Sequence, residues 1–181
     1  MAERIGFIVD RLNAPPFSKG FGTMSEFDSK SSLDILDMLC EVVAAIDPDM
    51  ENLVRDTTEV RVRRIIQFLV IMKFNIQEDQ MEDFQSLLMQ GDKEVLHQIM
   101  HWTLQRFEHL QKRAYLSKYL MPVEVPPEFA NEDLIMDMSQ RLKEMQAEFK
   151  EVHKAVDQIR ASGPRPAELK AGECLHNTKQ Q

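Results

Sequence analysis

Apolar residues along this chain repeat at intervals of three and four residues almost throughout. This is the spacing of helices that bury one face. Strands would instead alternate apolar and polar residues, and no such stretch of any length occurs in the sequence. The pattern predicts helices over residues 5–12, 33–46, 65–76, 81–90 and 93–107. We therefore expect an all-α fold.

Residues that stop or cap helices set the expected boundaries. A Pro-Pro pair ends the first helix, and a loop is expected over residues 17–32. Either Ser31 or Ser32 is a plausible N-cap for the second helix. Gly91 separates the fourth and fifth helices, and Asp92 is a candidate N-cap for the fifth.

The third helix, residues 65–76, is strongly apolar, and we expect it at the centre of the core. Trp102 is the only tryptophan and lies in another apolar helix. We expect its side chain to be largely buried and to hold that helix against residues 65–72.

A proline-containing stretch, MPVEVPPEF at 121–129, cannot continue a helix and resembles a stiff connector. Beyond it, apolar residues alternate at spacings of three and four, the heptad pattern of coiled coils: Ile135, Met138, Leu142, Met145, Phe149, Val152, Val156 and Ile159. The pattern favours the start of a coiled coil over a long amphipathic helix that packs back on the domain.

The chain is thus predicted to have four parts. They are a helical domain over 1–125, a connector over 126–131, a short coiled-coil helix over 132–160 and a disordered tail over 161–181.

Composition indicates a soluble globular protein, because 43% of the 181 residues are hydrophobic and 29% are charged. The longest uncharged stretch, 95–105, has 11 residues. It is well short of the ~18 needed to span a bilayer. The N-terminal sequence does not resemble a signal peptide. Cys40 sits in an apolar helical pattern, far from Cys174, and is expected to be a reduced core residue. We expect a cytosolic protein.

The sequence contains few residue patterns that are typical of catalytic or metal-binding sites. His97 and His101 have the i, i+4 spacing of zinc ligands, but Gln98 occupies the place of the glutamate that a metalloprotease needs. No third ligand is evident nearby, so we expect ordinary helix histidines. No nucleophile, phosphate loop or cofactor motif is present either. We therefore expect neither an enzyme nor a bound cofactor.

The most informative segment is HWTLQRFEHLQKRAYLSKYL, residues 101–120. From Arg106 to Lys118 its charge is +3, in a chain whose net charge is −8. On a helix, Phe107, Leu110 and Ala114 share one face. A second face, which we expect to be exposed, carries Arg106, His109, Lys112 and Arg113. A basic stripe on an acidic protein indicates a surface that meets a negative partner.

A second basic group accompanies the third predicted helix: Arg61, Arg63 and Arg64 open this helix and Lys73 closes it. Such clusters are often solvated faces, so that interpretation stays open. Nucleic acid is a weak candidate, because residues 1–125 have 14 Lys and Arg against 20 Asp and Glu, a balance of −6. A protein partner with a negative field fits better.

Several motifs resemble the N-terminal part of the intraflagellar transport 81 family. They are FIVDRLNAPPF (7–17), EFDS (26–29), VVAAIDP (42–48), HWTLQRFEHLQKRAYLSKYL (101–120), VEVPPEF (123–129) and HKAVDQIRASG (153–163). The resemblance extends over residues 3–163. It implies a calponin-homology-like helical domain, of the kind found in microtubule-binding kinetochore proteins.

The resemblance also implies a function without catalysis, namely binding of αβ-tubulin as cargo of intraflagellar transport complex B for cilium assembly. The expected location is the cilium or flagellum, the ciliary base and the cytoplasm. The family's basic tubulin-binding patch falls here on Lys73, Lys112 and Arg113. We add Arg106 and Arg64 from the basic groups described above as further candidate tubulin-binding residues.

The chain departs from the family pattern in two respects. Asn75 and Gln85 are neutral where the pattern has basic residues. The family also continues into a long coiled coil that pairs with intraflagellar transport protein 74, so this chain is expected to be a fragment or a short isoform. The alternative function is that of a structural adaptor, which docks on another transport-complex protein without binding tubulin.

Overall fold

The computed structural model of the protein describes residues 2–162, which are helical with no strand in that range. The helices are α1 (Ala2–Asn13), α2 (Met24–Asp28), α3 (Ser32–Ile46), α4 (Thr58–Ile71), α5 (Met81–Gln90), α6 (Lys93–Gln105), α7 (Phe107–Leu120) and α8 (Asp133–Ser162). Short 3-10 helices lie at Pro48–Met50, Leu53–Arg55 and Glu78–Gln80. The all-α prediction is confirmed.

The chain divides into two compact units, Met1–Met121 and Pro122–Gln181. The first contains α1 to α7 and the second contains α8. Of the predicted tail over 161–181, residues 163–181 lie outside the described residues.

Helix α3 lies at the centre of the first unit, where it packs against α4, α6 and α7. Helix α1 packs against α2 and α6. Eight residues of α3 are buried but only four of α4, so the expectation that the third predicted helix forms the centre is wrong. The physical reason is that α4 is amphipathic and turns one face to solvent.

The predicted capping residues hold the ends of three helices. Ser31 accepts a hydrogen bond from the backbone N–H of Asp34, and the Asp34 carboxylate accepts one from the backbone N–H of Ser31. Asp92 caps α6, because its carboxylate accepts a hydrogen bond from the backbone N–H of Val95 at 3.0 Å. Gly91 ends α5 with φ 71°, and a Cβ there would lie 2.9 Å from the Cβ of Ser32.

Helix α2 interrupts what the sequence predicted to be a loop over 17–32. Thr23 caps it, because its hydroxyl oxygen accepts a hydrogen bond from the N–H of Glu26 at 3.1 Å. Phe27 is fully buried and explains why this short helix is held in place. The spacing of threonine and glutamate is the signal that could have predicted it.

The segment 101–120 is not one continuous helix, because Arg106 breaks it with φ −115° and ψ 20°. A straight helix over residues 93–120 would be about 42 Å long, longer than the ~30 Å diameter of a small domain. The break lets α7 cross α3 and bury Leu110 and Ala114.

Two further expectations need correction. Helix α4 covers Thr58–Ile71 rather than 65–76. Its first turn is polar, and its N-cap Thr57 makes no side-chain capping bond, so the apolar pattern understates its start. Trp102 is partly rather than largely buried, and its ring contacts that of Phe74 (centroids 5.0 Å apart), which follows α4 in the chain.

Helix α8 is a 30-residue amphipathic helix, in agreement with the predicted coiled-coil segment. Among the predicted seam residues, one subset is half-buried, namely Ile135, Leu142 and Phe149. Val156 is 37% exposed, and the remaining four are more than half exposed, namely Met138, Met145, Val152 and Ile159. An exposed apolar stripe of this spacing fits a helix that pairs with another helix.

The core of the first unit leads to a prediction about its independence. Every buried residue in the described part of the chain lies between Ile5 and Ala114. We therefore expect a fragment of residues 1–125 to fold alone and to melt cooperatively, as measured by circular dichroism. An unfolded fragment would contradict this and would favour packing of the last helix on the domain.

His97 leads to a second prediction, about pH. Its side chain is buried beside the Phe27 ring (centroids 5.3 Å apart), and its Nε2 has no hydrogen-bond partner among the described residues. Burial lowers the pKa of His97, although the carboxylates of Asp28 and Glu94 act in the opposite direction.

The unfolded chain therefore takes up a proton near pH 6.5 that the folded core resists, so stability is full above that pH and is lost below it. One such site contributes at most about 1.4 kcal/mol per pH unit. Thermal melts between pH 7.5 and 5.5 should show a smaller loss in His97→Phe than in wild type. Replacement of the exposed His109 by asparagine is the control, and equal slopes for all three proteins would contradict the prediction.

Candidate functional site

Residues 60–77 contain four basic residues and no acidic one, although the chain has a net charge of −8. This run covers most of α4 and the turn that follows it. Positive charge is therefore concentrated along one helix and around its C-terminal end.

Lys73 lies just beyond α4 in a left-handed backbone conformation, with φ 60°. Its N–H donates to the carbonyl oxygen of Val70 at 3.1 Å, and the N–H of Phe74 donates to that of Leu69 at 2.9 Å. These two bonds form a Schellman motif, whose left-handed position glycine usually occupies. Because Lys73 has a Cβ, it holds this conformation at a cost of ~1–2 kcal/mol. Its side chain is exposed.

Arg113 reaches the same end of α4 from α7. Its Nε donates a hydrogen bond to the carbonyl oxygen of Ile71 at 2.8 Å, and its side chain is half-buried. The expectation that Arg113 is exposed is therefore wrong, because an unpaired carbonyl in the last turn of α4 attracts the guanidinium. Arg113 joins α7 to α4 and positions the residues around it.

Arg106 and Lys112 complete this surface. The Arg106 guanidinium lies 5.5 Å from the centre of the Trp102 ring, which in turn contacts Phe74, the neighbour of Lys73. Lys112 precedes Arg113 on α7 and is exposed. We call Lys73, Arg106, Lys112 and Arg113 the basic end of the domain.

Arg64 does not belong to the basic end. It forms an ion pair with Asp56, and its Nη2 donates to the carbonyl oxygen of Asp49 at 3.1 Å. It also precedes Lys73 by nine residues, or roughly 13 Å along a helix axis. Arg64 therefore holds the segment between α3 and α4.

Lys118 and Arg61 also form ion pairs within the domain. Lys118 pairs with Asp49 at 2.9 Å, and this hydrogen bond raises the pKa of Lys118. Arg61 pairs with Asp37 on α3. These ion pairs neutralise part of the positive charge near the start of α4.

Arg63 is exposed on α4, although it was not among the predicted tubulin-binding residues. The helical register could have predicted this exposure, because at about 100° per residue position 63 lies far around the helix from all four buried positions of α4. Asn75, which follows Lys73 by two residues, and Gln85, which lies on α5, are both exposed and uncharged.

Within residues 2–162, no group of three or more His, Cys, Asp or Glu side chains converges so that it could hold a metal ion. His97 is buried beside Phe27, whereas the ring of His101 contacts that of Phe7 at 5.0 Å. Burial raises the pKa of Cys40 to about 12, so its thiol stays protonated at neutral pH. Each helix within residues 2–162 is too short or too polar to span a bilayer.

These features describe an all-α domain with a basic end next to the last turn of α4. A family model described as the intraflagellar transport 81 calponin homology domain matches residues 3–124. The chain belongs to this family, and the resemblance noted in the sequence is confirmed.

Individual relatives agree with the family match. The chain is 36% identical over 173 residues to intraflagellar transport protein 81 homolog of Rattus norvegicus, covering 94% of this chain and 26% of that protein. It is 34% identical over 160 residues to intraflagellar transport protein 81 of Chlamydomonas reinhardtii, covering 86% of this chain and 23% of that one. The chain thus spans about a quarter of the length of these relatives.

Among solved structures, the fold is similar to a chain of the T. brucei IFT22/74/81 GTP-bound crystal structure. The TM-score is 0.81 at 20% sequence identity, and the match covers 98% of this chain and 41% of that chain. At this identity the similarity supports the fold alone.

The backbone conformation of Lys73 leads to a prediction about stability. Lys73→Gly should raise the free energy of unfolding by about 1 kcal/mol, because glycine adopts positive φ without a Cβ penalty. Chemical denaturation followed by circular dichroism measures this change. Lys73→Ala is the control, since it removes the charge but keeps the Cβ, and it should not stabilise the domain. A less stable Lys73→Gly variant would contradict the prediction.

Proposed function

We propose that the basic end binds αβ-tubulin and that this chain serves as the tubulin-binding module of intraflagellar transport complex B. In this role it carries tubulin as cargo for cilium assembly. The observation that supports the proposal most directly is the convergence of Lys73, Arg106 and Arg113 at one end of α4, in a chain of net charge −8. Family membership supports the same setting.

Electrostatic complementarity provides the physical basis, because tubulin is an acidic protein. A basic surface speeds encounter and orients the partner more than it adds affinity. Each exposed charge pair contributes ~0.2–1 kcal/mol. A few such pairs together contribute roughly 1–3 kcal/mol, which corresponds to about a ten- to hundredfold effect on binding.

The residues have different roles in this proposal. Lys73 and Lys112 are exposed and contact the partner. Arg113 is half-buried and positions the end of α4 through its bond to Ile71. Arg106 is exposed over the Trp102 ring and contributes charge at the edge of the surface.

Arg64 contacts tubulin little in this proposal, because its charge is paired with Asp56. Asn75 and Gln85 leave the surface less positive than the family pattern, so added positive charge at these exposed positions should strengthen binding.

Helix α8 suggests a second partner. Its exposed apolar stripe has the spacing of a coiled-coil seam. The name of the similar T. brucei structure contains IFT74 beside IFT81. We propose that α8 begins the coiled coil with intraflagellar transport protein 74, and that the protein acts in the cilium or flagellum, at the ciliary base and in the cytoplasm.

A structural adaptor is the second candidate function. Several basic residues are engaged within the chain, including the ion pairs of Arg61, Arg64 and Lys118. In this case the domain docks on another protein of the transport complex, and the basic end faces solvent.

Tubulin titration of the full chain separates the two functions. Lys73→Glu/Lys112→Glu should weaken binding at 50 mM salt by about tenfold or more, because it replaces attraction by repulsion. Asn75→Lys/Gln85→Arg should strengthen it. At 300 mM salt most of these differences should disappear.

Lys143→Glu/Lys150→Glu is the matched control, since it makes the same change of charge at exposed positions of α8. It should bind like wild type. If wild type fails to bind at 50 mM salt, or if all the variants bind alike, the tubulin proposal is wrong and the adaptor function is favoured.

A further inference from the structure

One face of α4 is turned to solvent along most of the helix. Its exposed residues are Val60, Arg63, Gln67 and Val70, which we call the outer face. They are spaced by three, four and three residues, so they form a single stripe on the helix surface. The valine side chains are 38% and 54% exposed, respectively. The stripe therefore combines apolar and basic groups.

The outer face contributes nothing to the core. The opposite side of α4 provides its buried residues, namely Val62, Ile65, Phe68 and Leu69. Valine also has a lower helix propensity than alanine, leucine, arginine or lysine. Val70, the more exposed of the two valines, thus carries a small local cost that burial within the described residues offsets only in part. A partner that covers Val70 would offset the remainder.

The outer face leads directly into the basic end. The carbonyl oxygen of Val70 accepts the hydrogen bond from the N–H of Lys73, and Arg113 binds the carbonyl of the next residue, Ile71. Val70 is therefore an exposed apolar side chain one turn from two cations. Protein interfaces commonly combine an apolar centre with charged groups at the rim.

We propose that the outer face of α4 is the apolar part of the tubulin interface, with Val70 at its centre and Arg63 as an additional basic contact. This inference rests on the proposed function and specifies which surface makes the contact. The charge of the region points to an acidic partner, because no acidic residue occurs between residues 60 and 77.

The exposed aromatic pair Tyr115 and Tyr119 on α7 is less suited to an acidic partner. Its rings contact each other at 5.3 Å, and Lys118 beside them is paired with Asp49. A partner with negative charge would meet a carboxylate there. The outer face has no such acidic neighbour within α4 beyond Glu59 at its start.

The test is a tubulin titration of the full chain carrying Val70→Thr, a change that keeps the shape of the side chain and replaces a methyl group by a hydroxyl. We expect binding to weaken about three- to tenfold. The loss should persist at 300 mM salt, where the effect of Lys73→Glu/Lys112→Glu fades, because apolar contact is not screened. Arg63→Gln should weaken binding chiefly at 50 mM salt.

Val152→Thr is the matched control, because Val152 is an equally exposed helical valine on α8, at 56%. It should leave binding unchanged. Val70→Ala guards against an effect of folding, since alanine favours the helix and the variant should melt no lower than wild type. It should also weaken binding.

The outcomes distinguish this inference from the proposed function. If Val70→Thr binds like wild type while Lys73→Glu/Lys112→Glu binds weakly, tubulin binding stands and the outer face is not part of it. If Val70→Thr and Val152→Thr weaken binding equally, the inference is also wrong. If wild type does not bind tubulin at all, both the function and the inference fail.

Discussion

The last turn of α4 is the point on which the arrangement of the basic surface depends. A helix ends with carbonyl groups that lack intrahelical partners, and here the backbone and a distant side chain satisfy them together. The Schellman motif turns the chain at Lys73, and Arg113 supplies a donor to Ile71 from 42 residues further along the chain. The same turn sends Phe74 towards Trp102. The same turn thus ends α4, binds α7 and sets the position of the nearby positive charges.

Much of the fold follows from local signals in the sequence. The start of α3, the end of α5 and the start of α6 lie where the capping residues in the sequence predict them. Capping is a short-range interaction that a few neighbouring residues determine. The helix predicted over 93–107 ends close to the observed break at Arg106, although no proline or glycine marks that break in the sequence. The position of α3 at the centre depends on how several helices pack.

The candidate site was predicted less completely than the fold. Exposure of Lys73 and Lys112 agrees with the sequence pattern. The partners of Arg64 and Arg113 could not be predicted, since each binds a group that is brought near by tertiary structure. Charge and the family resemblance therefore pointed to the region, whereas the difference between exposed basic residues and those paired within the domain required the packing of α7 on the rest of the domain.

The burial of Cys40 has a consequence for the dynamics of the domain. Its thiol lies on α3 at the centre of the core, is fully buried and has a pKa raised to about 12. Alkylating reagents attack the thiolate and need access to the sulfur. The folded state slows this reaction in two ways, because it keeps the thiol protonated and covers the sulfur. The rate at which Cys40 reacts is therefore governed by how often α3 separates from its neighbours. The rate at which Cys40 is alkylated in the folded protein thus measures how often the core opens.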